Sequence, residues 1–218
     1  MAKDRGRNYE RGRSDERSRI AHLAARLMAE DGIEDYAVAK RKAARQAGVP
    51  NTRELPTNDE IEAALRTHQL LYGGDAHSER LRELRVRALK VMRDLERFNP
   101  YLTGSVLSGL AGKYADINLQ LYTDDGKSVE LYLIERGIAY RAGQRRLWCG
   151  EEARTVSAFT VDDDGVEIDI VVLARDDLRL PVKRNPEGNA VERARAQVVK
   201  ALIDDGPDRP PSLGGQGV

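Results

Sequence analysis

The chain is 218 residues long, and its 36 Lys and Arg are balanced by 36 Asp and Glu, so no net charge draws it as a whole to nucleic acid or to a membrane surface. Apolar residues make up 40% and charged residues 33%, enough for the packed core of one or two domains. The single cysteine, Cys149, excludes an internal disulfide and a cysteine-built zinc site and fits a reducing compartment. The start, M-A-K-D-R-G-R-N-Y-E-R-G-R, has no apolar signal core, and no later run approaches a membrane span; the expectation is a soluble, cytoplasmic, bacterial-style protein with no membrane partner.

Residues 1–14 carry Lys3, Arg5, Arg7, Arg11 and Arg13 against Asp4 and Glu10, with almost no apolar content. They are expected to be a basic disordered tail, either solvated or ordered on an RNA backbone. The stretch 15–98 is expected to be helical. Ser14 suits a helix start, after which Ile20, Leu23, Ala24, Leu27 and Met28 recur at helical spacing and Gly32 ends the run. A second helix over 33–47 shows Lys40, Arg41, Lys42 and Arg45 on its polar face before Gly48 and Pro50. Pro56, Thr57 and Asn58 open a third, Gly73 and Gly74 mark a loop, and a long fourth starts near Ser78 and ends at Phe98, Asn99 and Pro100.

The stretch 99–180 reads as the chemical core. Tyr101 and Leu102 lead into Gly104 and Ser105, and a strand from Asp116 to Tyr122 sends Ile117, Leu119 and Leu121 one way and Asp116, Asn118 and Gln120 the other. Residues 127–136 fit helix or strand, with Gly137 favouring a helix. A strand near 138–141 leads to a loop at Arg145 and Arg146. Strands 154–161 and 166–173 then pair through the Asp162–Gly165 turn, with Glu167, Asp169 and Val171 on one face. A basic loop from Pro181 to Asn189 and a helix from Ala190 to Ile203 fill 181–205, and 206–218 is a Pro/Gly-rich disordered tail.

If the strands of Asp116 and Asp169 are neighbours, Asp116, Asn118 and Asp169 converge on one face as three oxygen ligands suited to Mg²⁺. Two such ions stabilise an in-line phosphoryl displacement. Ser105 and the Gly104 turn, at a helix start, suit the phosphates of a nucleoside triphosphate (NTP). His22, His68 and His77 have no ligand spacing, and no Ser-His-Asp or Cys-His nucleophilic set is discernible.

The order Gly104-Ser105, Gly109, Asp116-Ile117-Asn118 and a later Asp169 resembles the signature of the DNA polymerase β-like nucleotidyltransferase superfamily, over roughly residues 99–173. The resemblance implies an α+β protein, a small mixed β-sheet of the nucleotidyltransferase type preceded by a helical N-terminal region. By the same resemblance Asp116 and position 118 hold both metals and Asp169 helps activate the incoming hydroxyl. Position 118 is Asn where the family usually has a second Asp, position 115 is Ala where Ser is frequent, and position 108 is Ser where Arg is common. A neutral amide is the weaker ligand for a hard cation, so metal binding and turnover should fall. Asn118 is either a substitution made to trap a substrate complex, which the intact Gly104, Ser105, Asp116 and Asp169 favour, or the mark of a natural pseudoenzyme. The acceptor is expected to be RNA, in particular a tRNA-like 3′ end, from the basic tail, the Lys40–Arg45 face, and Lys183 with Arg184. The alternatives are NMP transfer to a protein partner, as in antitoxin nucleotidyltransferases, and a non-catalytic nucleotide- or RNA-binding module.

Overall fold

The computed structural model describes residues 2–33, 35–50, 52, 54–184 and 189–205, over 2–14 by backbone only; the tail expected at 206–218 lies outside them. The chain divides into two compact units, one of Met1–His77 with Gly112–Ala115, the other of Ser78–Ala111 with Asp116–Val218. Among the described residues no helix is long and apolar enough to cross a membrane.

The first unit is built on α1 (Ala2–Glu30), α2 (Tyr36–Gln46) and α3 (Asn58–Tyr72). Ile20, Ala24, Leu27 and Met28 of α1 are buried with Ala39 and Ala43 of α2 and Ile61 and Leu65 of α3. Each of the later helices starts on a side-chain cap. Asp35 accepts from the Val38 amide, and Thr57 and Glu60 form a reciprocal capping box. Arg17 pairs with Glu60 at 2.8 Å and Lys42 with Asp31 at 2.8 Å, so part of the cationic face of α2 is answered inside this unit. Two expected boundaries are corrected. Helix α1 begins at Ala2 rather than Ser14, since the basic segment holds no proline and its Lys, Arg and Glu residues are good helix formers. The loop expected at Gly73–Gly74 is a single-residue break. Gly73 stays right-handed, Gly74 takes φ +50°, and α4 (Gly74–Asp94) starts there rather than near Ser78.

The second unit carries a seven-stranded mixed sheet, so the protein is α+β with helices ahead of the sheet. Its strands are β1 (Pro100–Thr103), β2 (Ile117–Tyr122), β3 (Tyr140–Cys149), β4 (Glu152–Asp163), β5 (Val166–Leu173), β6 (Val182–Lys183) and β7 (Arg193–Ala194), in the order β6-β3-β4-β5-β2-β1-β7. Among the described residues only β2 and β5 run parallel; every other pair is antiparallel. A short helix, α5 (Gly104–Ser108), links β1 towards β2, α6 (Gly126–Glu135) crosses from β2 to β3, and α7 (Ala196–Asp204) ends the fold.

Alternation sorts the sheet into two faces. Ile117, Leu119, Leu121, Ile168, Ile170 and Phe159 are buried on one. Helix α6 lies on that side. A side chain at Gly126 would touch Val172 at 3.7 Å, and the Tyr140 hydroxyl, whose ring packs edge-on to Phe159, donates to Glu130. The other face carries Asn118, Gln120, Tyr122, Asp169 and Thr160. One end of it is covered by the cluster of Tyr101, Tyr122, Cys149, Leu173 and Val182.

Residues 126–135 are helical, as Gly137 suggested. The loop expected at Arg145 and Arg146 is corrected to the middle of β3, whose residues from Arg141 to Arg146 are exposed on both faces and so show no alternation. The basic loop contains β6, paired with Trp148 and Cys149. The last helix starts at Ala196 rather than Ala190 because Arg193 and Ala194 first pair with the edge of β1.

Candidate nucleotide site

The site grows out of the β1–α5 turn. Thr103 ends β1, and Gly104 takes φ +75°, a left-handed conformation that a side chain resists. The turn is pressed against β2, since a Cβ on Gly104 would lie 3.4 Å from the Asn118 side-chain nitrogen. Thr103 Oγ1 donates to the Asn118 carbonyl at 3.2 Å, which pins the two strands at this point. Ser105 stands half-buried on the first turn of α5, and its carbonyl accepts from the Leu110 amide at 2.9 Å as Gly109 ends the helix.

Behind the turn sits Arg85 of α4, 2% exposed. Its guanidinium donates to the carbonyls of Val106 at 3.1 Å and Leu107 at 3.2 Å, at the C-terminal end of α5, and more distantly to Leu202 of α7 at 3.5 Å. A buried cation at the negative end of a helix is favourable for both. Burial lowers the Arg85 pKa from its ordinary value. Arg85 thus holds α5, and with it the Gly104 turn, from the inside.

The two acids stand as follows. Asn118 and Asp169 are directly paired across β2 and β5, on adjacent strands roughly 4.8 Å apart. Asp116 immediately precedes β2, and its carbonyl accepts from the Asn118 amide at 3.3 Å. Asp169 is engaged at both oxygens. Oδ1 accepts from Thr160 Oγ1 at 2.7 Å, and Oδ2 accepts from Arg145 Nη2 at 3.1 Å. Gly104, Ser105, Asp116, Asn118 and Asp169 therefore gather along the β1-β2-β5 part of one sheet.

As a donor set for Mg²⁺, two carboxylates and a neutral amide oxygen are chemically suitable for one hard cation, with less charge than three carboxylates would supply. Among the described residues no group of three His, Cys, Asp or Glu is gathered for a metal. Arg145 is a neighbouring cation that a metal ion on Asp169 would have to compete with.

Three contributors went unread in the sequence: Thr160, Arg145 and Arg85. Thr160 had a signal. The two-residue turn Asp164–Gly165, both at positive φ, pairs Asp163 with Val166, and that register carries Thr160 opposite Asp169. Arg145 and Arg85 had none, for each meets its partner across 20 or more residues of chain. Trp148 and Cys149 lie at the β3 end paired with β6, and burial pushes the Cys149 thiol pKa up.

No family model matches the chain. Over 73 residues it is 34% identical to a protein of Aeropyrum pernix named NH(3)-dependent NAD(+) synthetase. That match takes in 34% of this chain and 24% of the other, so the chain spans about a quarter of the length of the curated relative it matches.

Proposed function

We propose that the chain is a nucleotidyltransferase of the DNA polymerase β-like type, which binds an NTP and transfers NMP to an RNA hydroxyl, with turnover held low by Asn118. The observation that carries the reading is the direct pairing of Asn118 with Asp169 beneath the positive-φ Gly104 turn. The similarity to a protein named for making NAD⁺, itself a nucleotide, supports nucleotide chemistry over that segment. Exposed Arg146 on β3, with Arg184 beside β6, favours a polyanionic acceptor such as a tRNA-like 3′ end.

The Gly104 turn and Ser105 orient the triphosphate, and the hydroxyl that attacks the α-phosphorus forms a phosphodiester as pyrophosphate leaves. Asp169, freed of Arg145, accepts the hydroxyl proton. Asp116, the Asn118 amide oxygen and Asp169 would hold Mg²⁺, which when bound neutralises charge on the phosphates.

A second reading, a nucleotide-binding module without transfer, is favoured by the neutral Asn118 and by the cation already seated on Asp169. Labelled transfer from each of the four NTPs to total cellular RNA, by the unaltered chain and by Asn118→Asp, decides between them. The transferase reading predicts Mg²⁺-dependent labelling by Asn118→Asp at least about a hundredfold above the unaltered chain, the scale of several kcal/mol at the transition state. Labelling of co-purified protein instead of RNA moves the acceptor to a protein. NTP binding without labelling by either form establishes the module, and the absence of both refutes the site.

A further inference from the structure

We propose that Arg145 is the resident counter-cation of Asp169, a positioning residue whose charge competes with a divalent cation for this carboxylate; the inference rests on the nucleotidyltransferase reading above. In the sheet register the residue of β3 in line with Asp169 is Arg141, opposite Thr160. Arg141 instead pairs with Glu167, and Arg145, four residues further along β3, reaches across β4 to Asp169 Oδ2 at 3.1 Å. The two arginines thus neutralise the two carboxylates on this face of β5 one for one.

Magnitude separates a regulating contact from a structural one. The Arg145 side chain is 56% exposed and that of Asp169 28%. A pair this open adds little to stability, so the fold does not depend on it. Its effect on the carboxylate is larger in kind. It places a full positive charge beside Oδ2 while Thr160 donates to Oδ1, so a divalent ion that uses either oxygen meets a competing partner. A divalent ion carries twice the charge of the guanidinium and replaces it at the cost of one weak contact. The chain therefore requires more metal than its acids alone would demand.

Mn²⁺ alone is the probe, titrated into the full chain and followed by the paramagnetic resonance signal of the free ion. The forms compared are the unaltered chain, Arg145→Gln, Arg145→Lys, Asp116→Asn, Asn118→Asp, and Arg145→Gln combined with Asp169→Asn. Arg145→Gln binds Mn²⁺ about tenfold tighter, as expected for removing one nearby partly screened charge. Arg145→Lys, which keeps the charge, stays within about twofold of the unaltered chain on the same grounds. Adding Asp169→Asn erases the gain. Equal affinity in Arg145→Gln and the unaltered chain, with binding still weakened by Asp116→Asn, overturns the role of Arg145 and leaves the site standing. Absence of Mn²⁺ binding in every form, Asn118→Asp included, removes the metal site and this inference with it.

Discussion

Replacing Arg85 by Met tests whether the Gly104 turn is held from beneath. The side chain is 2% exposed, and methionine fills most of the volume, so the effect isolates the lost hydrogen bonds. Two of them, to Val106 and Leu107 at 3.1 and 3.2 Å, have good lengths, and the contact to Leu202 at 3.5 Å is marginal. A hydrogen bond with a charged donor contributes about 1.5–3 kcal/mol, so two give about 3–6 kcal/mol. Relief of the buried charge offsets part of this, and a net destabilisation of about 2–4 kcal/mol remains. Urea unfolding of the full chain, followed with hydrogen exchange at the Gly109 and Leu110 amides, measures it. Those two amides should exchange faster in Arg85→Met, since both close the C-terminal end of α5 by donating to the Ser105 carbonyl. A change below about 0.5 kcal/mol, the usual effect of a surface substitution, would falsify the assignment of Arg85 as the support of α5.

Two further outcomes follow from the same geometry. Gly104→Ala should cost about 1–2 kcal/mol, because a Cβ is strained at φ +75°, and it should weaken NTP binding by distorting the turn; calorimetric ATP binding and a thermal melt check both. The second concerns Tyr122. Burial pushes its phenol pKa up to about 12 from an ordinary 10.0, against the pull of the Arg193 guanidinium that donates to it at 3.0 Å. The folded pKa is raised, so this contribution is complete below pH 10 and is lost as pH rises through about 12. Its total is about 2–3 kcal/mol, and Tyr122→Phe should flatten the alkaline fall in stability and remove the late phenolate absorbance step.

What could be read from the sequence depended on how local the signal was. The parity of Asp116, Asn118 and Asp169 was legible because apolar residues alternate with them along β2 and β5, and the pairing of those strands then follows from the sheet order. The Asp164–Gly165 turn announced the β4–β5 hairpin for the same reason. Residues 142–146 were not legible as strand. They form an exposed ribbon whose faces both meet water, so hydrophobic periodicity is absent and Arg145 and Arg146 read as a loop. Arg85 was hidden among the apolar residues of α4, where an arginine at helical spacing looks like one more solvated charge. The ion pair of Arg145 with Asp169 depends on a diagonal reach across β4, which no spacing in the sequence encodes. The site's backbone was thus readable, and its electrostatics was not.

The central claim is that nucleotide and metal meet at the Gly104 turn and the β2–β5 pair. Addition of Mn²⁺ with ATP to isotope-labelled Asn118→Asp protein tests it directly, because the paramagnetic ion broadens only nearby amide resonances. The account predicts that Gly104, Ser105, position 118 and Asp169 broaden first, and that Asp116→Asn abolishes the effect. Broadening centred on another part of the chain, with these four amides unchanged, would contradict it.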